Sequence, residues 1–417
     1  MHDENMVRDS MIKALPALIL LAMLIGLSTP AIVHAESNNT NIGYVKYTLL
    51  CDNELQSGPL NYTVLCATSP RGIIYDPLNG YIYIADDYAN TVDVLDPMNN
   101  SIIATISVGL YPYYITYDPK NGYLYVTNNG DYTVSVIDPS TDKVIATIPL
   151  MPEIGPIYIP GTLGGYIPGP AGIAYDPKNG YLYVANEGFD NITIIDPSTN
   201  KVIGAIQLGH SPWGIAYVPS TGYLYVTAGT YSGVVYVINP STNQVIATIP
   251  VGRYPWGIAY DPENGYLYVT DQGYSGNGNV TVIDTATNKV VTTIVLGNRS
   301  LPQDIIYNPA NGYIYVVDAG YGAVDVIDPS NNSLIARISL GVGGPWGITY
   351  DPKNGYLYVT DDLVGVSIIA TKPMPTSNII TPVTKPSVMS TALVVGVVVV
   401  VIIVVAAAVM LRMRMRK

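Results

Sequence analysis

The chain of 417 residues has few of the side chains on which most enzyme active sites depend. It contains three histidines and two cysteines, and His2 and His34 lie in a segment that we expect to be removed. The remaining histidine, His210, cannot form a histidine-cluster metal site alone. The sequence also lacks a nucleophile elbow, a glycine-rich phosphate loop and a paired-cysteine metal motif. The composition therefore argues against a histidine-dependent hydrolase and predicts no cofactor.

Charge is scarce as well. Charged residues make up 12% of the chain, and the formal net charge is −12. Nothing in it is basic enough to attract nucleic acid. With 36 tyrosines and one phenylalanine, the surface must be covered largely by tyrosine, asparagine, threonine and glycine. Such an exterior suits a glycosylated coat, a packed lattice or an acidic medium, and the composition leaves these three open.

Both ends of the chain resemble targeting segments. In residues 1–35 the apolar run Ala14–Leu27 leads to Val33-His34-Ala35, which has the small-x-small form of a signal-peptidase site. A buried N-terminal helix is the alternative. Residues 391–411 carry no charge and are long enough to span a membrane as a helix. The basic residues 412–417 that follow predict a cytoplasmic tail.

These ends predict a single-pass cell-membrane protein whose folded part is extracytoplasmic. Residues 371–390, rich in Pro, Thr and Ser, are typical of an extended linker. In an exported chain, Cys51 and Cys66 suggest one disulfide, with free thiols as the alternative. Candidate N-glycosylation sequons occur at Asn38, Asn61, Asn99, Asn191, Asn279, Asn298 and Asn331.

Between these ends the sequence repeats. A central tyrosine recurs at Tyr75, Tyr117, Tyr175, Tyr217, Tyr260, Tyr307 and Tyr350. Each unit has four β-rich segments separated by turn sequences such as Asp-Pro-x-Asn-Gly and Asp-Pro-Ser-Thr-Asn. The four segments predict one antiparallel sheet, or blade. The Leu150–Gly169 insertion separates units two and three, and we expect it to be an interaction surface or a lid.

The strands predict blades packed on both faces. Tyr266–Val269 is a run of four large apolar or aromatic residues, and a sheet with one wet face would alternate instead. Sheets sandwiched in a closed ring meet this need, with tyrosine hydroxyls reaching water at the blade edges. An open solenoid is the alternative, but it needs capped ends. We therefore expect an all-β fold, a seven-bladed β-propeller over residues 70–370, with one C-terminal transmembrane helix.

The last unit lacks its fourth strand, so the N-terminal segment 36–69 should supply it and close the ring. Counting back from Pro70 with the spacing of the other units selects Tyr62–Ala67 as that strand. Tyr44–Leu50 would then add an outer strand. The disulfide between Cys51 and Cys66 would fasten this segment to the closing blade.

The unit resembles the YVTN β-propeller repeat family. The motif appears as Tyr-Val-Thr-Asn (Tyr125–Asn128) and as Tyr-Val-Thr-Asp (Tyr268–Asp271), and the resemblance covers about residues 60–370. It implies a seven-bladed propeller of the kind found on archaeal or bacterial cell surfaces, similar to surface-layer proteins. It implies little about activity.

Two rings of residues are candidate sites. The position after each blade-opening proline should lie at the mouth of the central channel, and it holds Arg71, Tyr113, Ala171, Trp213, Trp256, Gln303 and Trp346. All three tryptophans of the chain occur here and could stack on a sugar or grip a peptide, or they could merely pack the inner strands. His210 and Arg253 lie in loops that enter the same mouth.

The second ring ends the second strands and contains acids that could bind a hard cation, although such acids more often hold loop N–H groups. Its acidic members are Asp86, Asp271, Asp318 and Asp361. The favoured hypothesis is a non-enzymatic cell-surface protein that acts in envelope structure, adhesion or recognition of a protein or glycan. The alternative is an extracytoplasmic lyase or hydrolase that uses carboxylates at the channel mouth.

Overall fold

Each repeat of the sequence forms one four-stranded antiparallel sheet. The computed structural model describes residues 44–49, 69–150, 169–273, 276–341, 343–362 and 365–371, and for 44–49 the backbone alone. These residues form seven sheets of four strands. The predicted seven-bladed β-propeller is therefore confirmed.

The strands are numbered along the chain, and β1 (Tyr44–Leu49) precedes the first blade. Blades one and two are β2 (Pro70–Tyr75), β3 (Ile82–Asp86), β4 (Thr91–Asp96), β5 (Ser101–Ser107), β6 (Pro112–Asp118), β7 (Tyr123–Asn128), β8 (Thr133–Asp138) and β9 (Lys143–Pro149). Blades three and four are β10 (Pro170–Asp176), β11 (Tyr181–Asn186), β12 (Asn191–Asp196), β13 (Lys201–Gln207), β14 (Pro212–Val218), β15 (Tyr223–Ala228), β16 (Val234–Asn239) and β17 (Gln244–Pro250). A 3-10 turn, Glu187–Phe189, lies between β11 and β12.

Blades five and six are β18 (Pro255–Asp261), β19 (Tyr266–Asp271), β20 (Asn279–Asp284), β21 (Lys289–Val295), β22 (Pro302–Asn308), β23 (Tyr313–Asp318), β24 (Ala323–Asp328) and β25 (Ser333–Ser339). Blade seven has β26 (Pro345–Asp351), β27 (Tyr356–Asp361) and β28 (Gly365–Ala370). In six blades the strands pair in chain order, and in the seventh β1 pairs with β28.

Local turn chemistry sets each hairpin. In the first turn of blade one, Asp76 Oδ1 accepts a hydrogen bond from the N–H of Leu78 at 2.8 Å, and Gly80 has a φ of 83°. A side chain is strained at that φ, so glycine belongs there. In the second turn of blade two, Asp138 Oδ1 accepts a hydrogen bond from the N–H of Ser140 at 2.9 Å. These bonds form within a few residues and fix the register of the strands.

The blades hide both of their faces against their neighbours. Seven apolar clusters occur among the described residues, one for each contact between adjacent blades. The cluster that contains Ile82 and Leu95 of blade one also contains Tyr358 and Ile368 of blade seven. The ring is therefore closed, which excludes the open solenoid.

The tyrosines in the middle of the blades are more deeply buried than the sequence predicts. The second tyrosine of each second strand is fully buried: Tyr83, Tyr125, Tyr183, Tyr225, Tyr268, Tyr315 and Tyr358. For these seven, the expectation that hydroxyls reach water is wrong. The Tyr268 hydroxyl instead accepts a hydrogen bond from Asn264 Nδ2 and donates one to Asn332 Oδ1 of blade six, both at 3.0 Å. A buried hydroxyl needs such partners, and here they also join two blades.

The N-terminal segment completes blade seven, but through a different strand from the one we selected. Tyr44–Leu49 pairs directly with β28, with Tyr44 opposite Ala370 and Leu49 opposite Val366. The expectation that Tyr62–Ala67 takes this place, with Tyr44–Leu50 outside it, is therefore wrong. Tyr62–Ala67 itself lies outside the described residues.

The cause of this error is a second long connection. Residues 50–69 separate β1 from β2, much as 150–169 separate β9 from β10, so counting back from Pro70 misplaces the strand. The pairing of β1 follows that of the other fourth strands, including a one-residue bulge between Val45 and Tyr47. In β9 the corresponding bulge falls at Ile145, between Val144 and Ala146.

The ring has two distinct faces. Pro255, which begins a first strand, pairs with Asp271, which ends the second strand. The loops that enter each blade and the loops between second and third strands therefore share one face, which we call the mouth face. The tight turns lie on the opposite face, the turn face. β28 begins opposite Asp361 and ends opposite Tyr356, so the chain leaves the propeller on the turn face.

The predicted terminal segments lie outside the described residues. These are the signal peptide (1–35), most of the linker (371–390), the span (391–411) and the tail (412–417). Within the described part of the chain, no helix is long and apolar enough to cross a membrane.

Candidate functional site

The second residue of each first strand follows the proline that pairs with the end of the second strand, so it lies at the mouth-face end of its strand. Each first strand has a register shift just after its proline, for example between Pro255 and Ile258. Such a bulge turns the strand and re-aims its side chains. The third residue is usually glycine because the next blade is very close: a Cβ on Gly214 would collide with the carbonyl oxygen of Trp256.

The threonine of the Tyr-Val-Thr motif positions the mouth residue of the next blade. Thr227 Oγ1 accepts a hydrogen bond from the N–H of Gly214 at 2.8 Å and donates one to the carbonyl oxygen of Trp256 at 2.7 Å. Thr127, Thr270 and Thr360 donate in the same way to Ala171, Gln303 and Arg71. This link between blades is one structural reason for threonine at this position of the motif.

The structure brings the three tryptophans and Arg71 together in one cluster. The rings of Trp213 and Trp256 stack with centroids 3.7 Å apart, and Trp346 lies 6.1 Å from Trp256. The Arg71 guanidinium sits 3.8 Å above the Trp346 ring and forms an ion pair with Asp87 at 3.1 Å. Guanidinium–indole stacking is favourable. We call these four residues the mouth cluster.

The mouth cluster leaves little space between its members. The cavity lined by Arg71, Trp256, Trp346 and the tyrosines Tyr113 and Tyr114 has a volume of about 10 Å³. A void of that size holds about one water molecule. A partner must therefore meet the outer surface of the cluster, since this cavity cannot enclose a substrate.

Two side chains that the sequence analysis missed point to the channel. Tyr114 and Asp304 stand where most first strands have glycine. Asp304 accepts hydrogen bonds from the N–H groups of Ile305 at 2.9 Å and of Ile348, in blade seven, at 3.2 Å. Burial raises the pKa of Asp304 to about 6. Burial and the nearby negative charge of Asp304 raise the pKa of Tyr114.

The remaining mouth candidates are more dispersed. Gln303 is buried and its Oε1 accepts a hydrogen bond from Gln272 Nε2 at 2.8 Å. His210 is exposed, and its Nδ1 lies 2.7 Å from the Tyr236 hydroxyl. Arg253 is exposed in the loop that enters blade five. Among the described residues, no side-chain hydrogen bond, ion pair or ring contact links these three residues to the mouth cluster.

The second-strand acids are buried, and two of them bond to N–H groups of adjoining loops. Asp86 Oδ1 accepts hydrogen bonds from the N–H groups of Ser69 and Ala89, and Asp318 Oδ1 accepts them from Leu301 and Gly320. Burial raises the pKa of Asp271 to about 7. In the described part of the chain no three His, Cys, Asp or Glu side chains converge, so Asp86, Asp271, Asp318 and Asp361 form no joint metal site there.

Blade six contains an additional charged group. Arg337 binds Asp325 through two hydrogen bonds of 2.6 and 2.7 Å, lies 3.6 Å from Asp318, and covers the ring of Tyr321 at 3.6 Å. Burial raises the pKa of Asp325 to about 6 despite the arginine. The negative charge of Asp325 therefore neutralises the positive charge of Arg337.

Five of the seven sequons lie within the described residues. Asn99, Asn298 and Asn331 are exposed, and Asn191 and Asn279 are half-buried at the starts of β12 and β20. Outside the described residues lie Asn38, Asn61, Cys51, Cys66 and most of the 150–169 insertion.

The comparisons with known proteins support the fold. No protein-family model and no curated protein matches the chain. Kuenenia stuttgartiensis hydrazine synthase has a similar structure, with a TM-score of 0.63 at 20% identity over 76% of this chain and 99% of that chain. A streptogramin B lyase aligns with a TM-score of 0.58 at 18% identity, covering 73% of this chain and 94% of the other.

A third similar structure is a catalytically inactive virginiamycin B lyase from Staphylococcus aureus with quinupristin. It has a TM-score of 0.59 and 17% identity, and the match covers 73% of this chain and 95% of that chain. At these identities the likeness defines this chain as a β-propeller and extends no further.

Proposed function

We propose that this chain is a membrane-anchored, extracytoplasmic propeller of the YVTN type that recognises a protein or glycan partner through its mouth face, without catalysis. It would act in envelope structure, adhesion or ligand recognition. The observation that carries the proposal is the mouth cluster: three half-buried tryptophans and an arginine meet on one face, and the cavity lined by Arg71, Trp256 and Trp346 has a volume of only about 10 Å³. Tryptophan and arginine are the residues that most often dominate binding surfaces.

The direction of the chain is consistent with this role. β28 ends on the turn face, so a tether that begins at Thr371 leaves from the side opposite the mouth cluster. The signal peptide, the span over 391–411, the Cys51–Cys66 disulfide and N-linked glycans remain parts of the proposal. The exposed sequons Asn99, Asn298 and Asn331 are accessible to glycosylation.

A binding experiment with the full chain in detergent tests the proposal. The wild type and the variants Trp213→Ala, Trp256→Ala and Trp346→Ala would be applied to a glycan array and to immobilised envelope extract. We expect each variant to lose at least tenfold in affinity while its far-ultraviolet circular dichroism is unchanged. Met98→Ala is the control, because Met98 is 93% exposed on the turn face. Turnover of a substrate by the wild type would contradict the proposal.

A second candidate function is an extracytoplasmic lyase or hydrolase. It is favoured by Asp304, a channel carboxylate whose pKa is raised to about 6, near the range that suits a general acid or base. Two of the similar structures are lyases. Activity that is present in the wild type and abolished in Asp304→Asn would support this function over the first.

A further inference from the structure

The mouth face is divided into two sectors of opposite charge. Within residues 69–371, all four arginines lie towards this face, whereas the six lysines lie on the turn face or begin fourth strands there. Arg71 and Arg337 are neutralised by Asp87 and Asp325. Arg253 and Arg299 are exposed and have no ion pair among the described residues.

The two exposed arginines lie in mouth-face loops that contain no acidic residue. The described parts of the six mouth-face loops that enter or cross blades four to six are 208–211, 229–233, 251–254, 272–273 with 276–278, 296–301 and 319–322. They contain Arg253, Arg299 and His210 and no aspartate or glutamate. We call these loops the cationic sector. The stacked pair of Trp213 and Trp256 belongs to the first strands of blades four and five, next to these loops.

The remaining loops have the opposite character. Those described in blades seven and one to three carry Asp87, Asp131, Glu187, Asp190 and Asp362, and no lysine or arginine. Asp87 is paired with Arg71, and burial raises the pKa of Glu187 to about 8. We call these loops the acidic sector, and their remaining negative charges are Asp131, Asp190 and Asp362. Each of these aspartates also accepts a hydrogen bond from a neighbouring loop. For example, Asp362 Oδ1 accepts one from the N–H of Gly344 at 2.9 Å.

We propose that the mouth face binds the mouth face of a second copy of this chain. A two-fold axis along the boundary between the sectors brings each cationic sector onto the acidic sector of the partner, so both halves of the contact are complementary at once. The mouth clusters meet at the centre, where aromatic and arginine anchors contribute most to binding. An acidic saccharide would use the cationic sector alone and would leave the acidic sector without a role.

The inference rests on the proposed recognition function and names its partner. Because the chain leaves each propeller on the turn face, two copies joined in this way would carry their tethers at opposite ends. The contact therefore suits adhesion between two surfaces better than association within one. Exposed aromatic residues around the mouth cluster, such as Tyr88 at 69% and Tyr231 at 63%, add apolar area to the contact.

The test uses the full chain in detergent and measures its mass by sedimentation equilibrium. We expect a reversible dimer whose dissociation constant rises at least tenfold in Arg253→Glu/Arg299→Glu. A second variant, Tyr88→Lys/Leu110→Lys, adds positive charge to the acidic sector at two exposed positions and should weaken the dimer similarly. Mixing the two variants should restore association as a heterodimer. Lys143→Glu/Lys201→Glu, on the turn face, is the control and should change nothing.

Two outcomes would overturn the inference. One is a wild type that stays monomeric at concentrations up to about a hundred micromolar. The other is a dimer that is insensitive to both charge variants. If a monomer still binds an envelope component through the three tryptophans, the proposed function stands and this inference fails. If neither self-association nor envelope binding depends on the mouth cluster, both fail.

Discussion

The hydroxyl of Thr227 donates a hydrogen bond to the backbone carbonyl oxygen of Trp256 in the next blade, at 2.7 Å. Thr227 Oγ1 also accepts a hydrogen bond from the N–H of Gly214, so one side chain ties two first strands together. This contact links the repeat motif to the mouth cluster. It also explains how a residue of one blade sets the position of a tryptophan in another.

Replacing this hydroxyl should loosen the mouth cluster. Thr227→Val keeps the shape of the side chain but leaves a buried N–H without its partner, which costs about 1–3 kcal/mol. We expect a lower midpoint of urea unfolding and a shift in tryptophan emission, because all three tryptophans lie in the cluster. Ala185→Thr, at the corresponding position of blade three, should raise the midpoint. An unchanged midpoint in Thr227→Val would show that the bond is dispensable.

The buried tyrosine hydroxyls should matter more than the exposed ones. Tyr268→Phe removes bonds to Asn264 and Asn332 and should lower the free energy of unfolding by about 1–3 kcal/mol. Tyr260→Phe is the matched control, because the Tyr260 hydroxyl bonds to Ser220 at the surface. Its effect should stay below about 0.5 kcal/mol. Equal losses for the two variants, measured by chemical denaturation, would contradict the role given to burial.

Ring closure depends on β1. A chain that begins at residue 50 retains Tyr62–Ala67 but lacks the strand that pairs with β28. We expect it to melt well below a chain that begins at residue 36, by ten degrees or more, because the unpaired edge of β28 would be left open. The measurement is differential scanning calorimetry of both chains. Identical melting temperatures would restore Tyr62–Ala67 as the closing strand.

Asp304 should make the fold less stable at neutral pH than in mild acid. Its folded-state pKa of about 6 lies above the unfolded value near 4, so the folded state binds more protons between these values. Its contribution to stability is therefore present below about pH 4 and is lost as the pH rises through about 6, amounting to roughly 2–3 kcal/mol. Asp271 and Asp325, whose pKa values are also raised, act in the same direction.

The comparison with Asp304→Asn isolates this contribution. Unfolding free energies of the wild type and the variant would be measured at pH 4.5 and pH 7.5. The wild type should lose more stability over this interval than the variant does. If the two lose the same amount, the Asp304 carboxyl is well solvated in the channel and its pKa is not raised.

Most of the architecture follows from local sequence patterns. The recurrence of Tyr260 and its equivalents predicts the number of blades, and the Asp-Pro-x-Asn-Gly turns predict their hairpins. The closing strand was misplaced because its pairing with β28 is set by a contact across the whole chain. No local sequence pattern determines the length of the connection between β1 and β2.

The site was predictable in its position but not in its geometry. The sequence places the three tryptophans at the mouth, but stacking of Trp213 on Trp256 and the cation–π contact of Arg71 depend on side-chain packing across blades. Asp304 could have been recognised from the sequence as a candidate site residue, because it occupies a repeat position that is glycine in most blades. The separation of basic and acidic loops can also be predicted from the sequence, once the loops are assigned to the mouth face.

The pairing of β1 with β28 has a consequence for biogenesis. The first strand of the propeller to be synthesised needs the last one as its neighbour, so the nascent chain cannot finish the circle until residues 365–370 have emerged. Until then blade one exposes the apolar residues that will pack against blade seven, among them Ile82 and Leu95. Synthesis of this chain therefore passes through a nearly complete but unsealed domain that must be kept from aggregating.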